Sequence, residues 1–169
     1  MQGELVTLSE VNQRNGLGQV TQSTDINGVV TNALYDSFGR QQFSGNSLGQ
    51  ASWTVSRFKD SKPSDWPRID ASMDYYQVTE QRVAGAPSQY QYLDRFGRTL
   101  AKVKQGFAAG DWIYQYSRYD LQHRLIQSST PSDQRSASAH QWQSTRYDDL
   151  SRVSSSPVSY THLTLPTKA

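Results

Sequence analysis

Tyr92-Leu93-Asp94-Arg95-Phe96-Gly97-Arg98-Thr99-Leu100 reads as the end of one β-strand, a tight turn and the start of the returning strand. Each residue type has a reason to stand where it does. An aspartate accepts a hydrogen bond from the backbone N–H two residues on and holds the chain in an Asx-type turn. Glycine supplies a positive φ at little steric cost. Arginine opens the returning strand, where it can pair with the aspartate and lay its stem along the sheet. A tyrosine at the end of the incoming strand offers a large apolar body with a polar tip.

The pattern recurs on both sides. Upstream stand Asn15-Gly16-Leu17-Gly18-Gln19-Val20 and Tyr35-Asp36-Ser37-Phe38-Gly39-Arg40-Gln41. Downstream stand Tyr119-Asp120-Leu121-Gln122-His123-Arg124-Leu125-Ile126 and Tyr147-Asp148-Asp149-Leu150-Ser151-Arg152-Val153. The steps from Asn15 to Asp36, from Asp94 to Asp120 and from Asp120 to Asp148 are similar in length, and a longer gap separates Asp36 from Asp94. Internal self-similarity of this kind is the mark of a repeat architecture. His123 and Ser151 occupy the glycine position in the last two copies, and a side chain there is expected to strain the turn by about 1 kcal/mol or to change its type.

The flanking segments alternate as strands do. Trp112-Ile113-Tyr114-Gln115-Tyr116-Ser117-Arg118-Tyr119 sets Trp112, Tyr114 and Tyr116 on one face. Thr99 to Gln105 alternates Ala101 and Val103 with Lys102 and Lys104, and Gly106 to Asp111 reads as the hairpin loop between these two strands. Further strands are expected at Val29 to Tyr35, Ser52 to Phe58, Tyr75 to Val83 and Gln141 to Tyr147. No window sustains the apolar period of a helix, so essentially no helix is expected. Two stretches depart from the repeat: residues 59–72, with Pro63 and Pro67, and residues 128–139, with Pro131 and many small polar residues. Both read as long loops inserted between hairpins.

Composition agrees with thin strands. The hydrophobic share is 35%, below the roughly 45–50% usual for a compact globule, so a single large core is not expected. The 10 Tyr, 5 Phe and 4 Trp suit two-sided strands with polar outer faces and argue against disorder. With 17 basic and 15 acidic residues and no Lys/Arg run, there is no phosphate-binding stripe and no nucleic-acid partner is expected. The absence of cysteine removes disulfide and thiol chemistry and argues against zinc. No stretch approaches the ~20 apolar residues of a membrane span.

The serial Tyr-Asp-x-x-Gly-Arg copies, together with the run from Tyr90 through Gly106-Phe107 and Trp112-Ile113-Tyr114 to Ser129-Thr130-Pro131, resemble the YD repeats of bacterial Rhs proteins, of Tc-toxin shell components and of teneurins. The resemblance covers roughly Leu5 to Ser154. It implies an all-β fold in which successive antiparallel hairpins of YD repeats form a strongly curved sheet, part of a spiral shell. It further implies a non-catalytic structural segment of an Rhs-type toxin, secreted or at the cell surface. The partners implied are the remainder of the same chain and an enclosed toxin polypeptide, without cofactor. The Asp-, Pro- and Gly-rich core motif that precedes the toxin in Rhs proteins has no counterpart here. Residues 1–156 are read as the repeat region. Ser159-Tyr160-Thr161-His162-Leu163-Thr164-Leu165-Pro166-Thr167 resembles a translated sequencing-adapter string, so residues 157–169 are read as an artefactual, disordered tail and the whole as a fragment.

Catalytic signals are sparse. No H-x-x-x-H, G-x-S-x-G or glycine-rich phosphate loop occurs. The turn residues Tyr35, Asp36, Gly39, Arg40, Asp94, Gly97, Arg98, Tyr119, Asp120, Arg124, Tyr147, Asp148 and Arg152 are assigned structural roles, each arginine pairing locally with its own aspartate. His123 is read as a turn residue and His140 as a surface histidine. An alternative function is a cell-surface adhesion module, in which the row Trp112, Tyr114 and Tyr116 stacks on carbohydrate. The competing reading packs that row inside the protein.

Overall fold

The computed structural model describes residues 9–108 and 110–155; the expected tail, residues 157–169, lies outside them. The chain folds into a meander in which eleven strands lie side by side in chain order, every neighbouring pair antiparallel. The first five are β1 (Ser9–Arg14), β2 (Val20–Asp25), β3 (Val30–Tyr35), β4 (Gln41–Asn46) and β5 (Ala51–Phe58). The next six are β6 (Gln77–Val83), β7 (Gln89–Leu93), β8 (Thr99–Gln105), β9 (Trp112–Tyr119), β10 (Leu125–Ser129) and β11 (Trp142–Ser144). A separate two-stranded ribbon, β12 (Arg146–Tyr147) with β13 (Val153–Ser155), continues beyond β11. The expected strands over 99–105 and 112–119 match β8 and β9 residue for residue, whereas the single strand expected over 141–147 is broken into β11 and β12. Among the described residues helix is confined to two single 3-10 turns, Lys59–Ser61 and Ala137–Ala139.

The two halves of the sheet differ in kind. Between Ser9 and Asp65 no described residue is buried, so β1 to β5 form a single layer without a core of its own, tied to the rest where Val55 of β5 packs against the edge of the core. The core sits over β6 to β9, where two rows of inward side chains cross four strands in register. One row is Val78, Tyr92, Ala101 and Tyr116; the other is Glu80, Tyr90, Val103 and Tyr114. Large rings alternate with small residues along each row, which lets the rings lie down without clashing.

The two long loops expected at 59–72 and 128–139 are irregular chain, apart from a 3-10 turn in each and residues 128–129 at the end of β10, and they cover these rows. The β5–β6 connection brings Trp66 edge-on to Tyr90 with centroids 5.4 Å apart, and Tyr75 edge-on to Tyr92 at 5.0 Å. It also offers the Pro67 carbonyl to the Tyr92 hydroxyl. The β10–β11 connection supplies Ala137 and sets His140 edge-on to Tyr116 at 5.0 Å. His140 is thus 6% exposed and not a surface residue; its two ring nitrogens lie 3.1 and 2.6 Å from the carbonyls of Thr130 and Gln134.

Asp70 fastens one connection to the other. Its carboxylate accepts from Ser72 N–H and Oγ–H on its own loop and from Ala137 N–H, at 2.6 Å, on the other. The Tyr116 hydroxyl completes the joint by accepting from Asp70 N–H and donating to the Arg135 carbonyl. Hydrogen bonds from Ser72 and then Ala137 hold the Asp70 carboxyl down at about 2. The low apolar content thus suffices because one small core is closed by aromatic rings and irregular chain.

Candidate functional site

Among the described residues seven turns share one geometry, and they define the candidate site. In each, the first residue is Asp or Asn, the N–H of the fourth residue donates to the carbonyl of the first, and the N–H of the first donates to the carbonyl of the fifth. The first residues are Asn15, Asp25, Asp36, Asn46, Asp94, Asp120 and Asp148. This is a three-residue hairpin loop whose last residue takes a positive φ. Gly39 and Gly97 have φ of 78°, and His123 (65°) and Ser151 (62°) adopt the same conformation, so the turn type is kept despite their side chains. Removing a Cβ from that region should help: Ser151→Gly is expected to stabilise the β12–β13 hairpin by about 0.5–1 kcal/mol, seen as slower amide exchange at Asp148 and Arg152.

The side chain of the first residue caps its own loop. Asp94 Oδ1 accepts from the N–H of Phe96 (2.8 Å) and Arg98 (3.0 Å), and Asp36 and Asp148 repeat both bonds. The other oxygen receives the arginine. Arg40, Arg98, Arg124 and Arg152 pair with Asp36, Asp94, Asp120 and Asp148 at 2.6–2.7 Å. Where Asn replaces Asp, Gln replaces Arg: Asn15 donates to Gln19 Oε1 (2.8 Å) and Asn46 to Gln50 Oε1 (2.9 Å). Burial pushes the Asp94 carboxyl up, but hydrogen bonds from Arg98 and Phe96 outweigh it and leave it below its ordinary value.

Connections of a meander alternate between two rims. The turns at Asn15, Asp36, Asp94, Asp120 and Asp148 share one rim, and there successive turns touch. Tyr35, Tyr119 and Tyr147 each stand directly before an Asp, and each donates its hydroxyl back to the preceding turn on that rim. The acceptors are the carbonyls of Val20, Thr99 and Leu125, at 3.0–3.1 Å. Each acceptor follows the Gln or Arg that ends its turn. The Arg98 guanidinium lies over the Tyr119 ring at 5.0 Å and Arg124 over Tyr147 at 4.8 Å. Polar bridges run alongside: Gln19 Nε2 to the Gly39 carbonyl, Arg98 Nη1 to the Asp120 carbonyl and Arg124 Nη1 to Ser151 Oγ. A double-mutant cycle of Arg98→Met with Tyr119→Leu should give a coupling of about 0.5–1 kcal/mol in urea titrations, against additivity if the stacking contributes nothing.

No protein-family model and no curated protein matches the chain.

The aromatic row is placed differently from the turns. Tyr114 and Tyr116 are buried, Tyr114 stacked on Tyr116 at 6.3 Å, while half-buried Trp112 meets Tyr90 edge-on at 5.5 Å. The two connections cover the rings that a sugar would need. Burial pushes the Tyr116 hydroxyl up to about 12 and raises Tyr90 and Tyr92 as well. Glu80, buried beside them, accepts from Tyr90 Oη (2.6 Å) and Arg82 Nε (2.8 Å). An open cleft of about 430 Å³ lies beside this pair, lined in part by Trp53, Asp65 and Trp66. Another, of about 600 Å³, opens below the Asp94 turn between Met73, Arg98, Tyr119 and Ile126. Among the described residues no group of three or more His, Asp or Glu is placed to hold a metal ion, and no helix is long and apolar enough to cross a membrane.

Sequence reasoning missed two of the seven turns, Asp25-Ile26-Asn27-Gly28-Val29 and Asn46-Ser47-Leu48-Gly49-Gln50. Neither has a preceding Tyr or a closing Arg. The signal that could have found them is Asp or Asn with Gly three residues on, which is the part of the motif that makes the turn.

Proposed function

We propose that this chain is a wall segment of a YD-repeat protein, a non-catalytic stretch of an Rhs-type shell that encloses a C-terminal toxin polypeptide. The observation that carries the proposal is the hydrogen bond from one turn's tyrosine to the carbonyl that follows the preceding turn, made three times along one rim, with the preceding turn's arginine over the ring in two of them. Such a contact is open-ended by construction. The Asp120 turn does both at once, offering Tyr119 backwards and presenting Arg124 and the Leu125 carbonyl forwards, as a wall assembled from repeats requires.

Two further features support the reading. The layer from β1 to β5 carries half-buried and exposed residues on both faces, which suits a wall with one side to solvent and the other to a cavity. The YD-repeat resemblance supplies the curvature, the shell and the enclosed polypeptide. In this reading the partners are the rest of the same chain and its passenger, and the location is secreted or cell-surface. Carbohydrate binding through Trp112, Tyr114 and Tyr116 is less well supported, because it needs ring faces that the core occupies.

Limited proteolysis of the protein expressed from its full native reading frame tests the proposal. A C-terminal polypeptide protected until the repeat region is cut, with a hollow particle in electron micrographs, is the expected result. A cell-wall anchor or a string of adhesion domains in that frame, with glycan binding lost on Trp112→Ala, would overturn it.

A further inference from the structure

The tyrosine of the motif is not distributed evenly, and its distribution follows a rule. On the rim where turns touch, Tyr35, Tyr119 and Tyr147 each come after a turn that ends in Gln19, Arg98 or Arg124. Before Asp94 the residue is Leu93, and the connection that precedes it on the rim is the long β5–β6 segment instead of a turn of this kind. Before Asn15 the residue is Arg14, and among the described residues no turn precedes it at all. The tyrosine is thus present where a preceding turn receives it.

We propose that Arg152 and the carbonyl of Val153 form a docking site for the tyrosine of one further Tyr-Asp hairpin, laid antiparallel along β13. The inference rests on the repeat-wall reading and names the partner of its last described turn. Val153 holds the position, five residues after the Asp, that Thr99 and Leu125 hold where they accept a tyrosine hydroxyl. Asp148 fixes the Arg152 guanidinium through Nε at 2.7 Å, as in the two filled sockets. The difference lies above the guanidinium. The Arg98 and Arg124 side chains are 23% and 26% exposed beneath their tyrosines, whereas Arg152 is 74% exposed and no described ring lies over it. Arg40 lies over Phe38 of its own turn, as Arg98 lies over Phe96, but its following rim connection brings no such tyrosine and it stays 56% exposed.

A second copy of the chain does not fit this site through its own first turn. That turn carries Arg14 in the tyrosine position, and it would set two like charges together. The occupant is therefore a hairpin of the Tyr-Asp kind.

The test is the full chain extended at its C-terminus by a copy of its own residues 141–155, which carry the Tyr-Asp hairpin without the Leu125 carbonyl that receives its tyrosine, compared with the same extension carrying leucine at the copied tyrosine. In NMR spectra the Arg152 Nε–H should shift upfield towards the positions of Arg98 and Arg124 with the tyrosine extension. The β13 amides should exchange about tenfold more slowly than with the leucine extension. Equal protection by both extensions, with Arg152 unmoved, would overturn the socket and leave the wall reading standing. No protection of β13 by either would overturn both.

Discussion

Tyr116→Ala should destabilise the protein by about 3–5 kcal/mol, the usual cost of removing a large buried ring. Tyr116 is fully buried and joins the sheet to its cover: Tyr114 lies beside it, His140 against it, and both covering connections meet at its hydroxyl. Its loss leaves a cavity and also releases Asp70 N–H and the Arg135 carbonyl from their partner. Urea titration followed by near-ultraviolet circular dichroism measures the change; a loss below about 1 kcal/mol would mean that the connections do not close the core. Alkali should show the same dependence. The phenol is raised from 10.0 to about 12 in the folded state, so its contribution is complete below pH 10 and is lost as pH rises through about 12.

The second large effect is expected at the joint between the connections. Asp70→Ala removes an acceptor serving Ser72 and Ala137, and we expect a loss of about 1–2 kcal/mol, reduced from the full charge-assisted value because the carboxylate is only half-buried. The sign of its pH dependence is fixed. A carboxyl lowered from 3.8 to about 2 contributes fully above the unfolded value and loses that contribution as pH falls through about 2. Asp94 shifts in the same direction, so Asp70→Asn should flatten the acid limb of the stability curve without abolishing it. An unchanged acid limb would remove Asp70 from the joint.

The hairpin architecture was legible because its signals are local. Asp94, Gly97 and Arg98 act within one short turn, and the alternation of Ala101 with Lys102 or Tyr114 with Gln115 reports the sheet face directly. The pairing of each arginine with its own aspartate followed from the same proximity. What covers the sheet was not legible. Trp66, Ile69 and Met73 have no strand or helix period, because irregular chain lays side chains down wherever the backbone path allows. Prolines 63 and 67 correctly mark irregular chain, but irregular chain can still be packed. His140 reads as a surface residue for the same reason, since its burial depends on Tyr116, which lies on β9 at the far side of the β10–β11 hairpin in sequence. The tyrosine's contact with an earlier turn is likewise invisible in the sequence, because it joins separate hairpins at variable spacing.

The single layer from β1 to β5 has a consequence for how this region can vary. With no buried side chain to conserve volume or shape, most substitutions between Ser9 and Phe58 should leave the fold intact, provided strand formers stay in the strands. The constraint falls on a few punctuating positions: Asn15, Asp25, Asp36 and Asn46, the left-handed glycines, and the residues that close each loop. A deep mutational scan should therefore read there like a sentence whose words can be exchanged while its commas cannot. Two such walls could share a path through space while agreeing at little more than their turns.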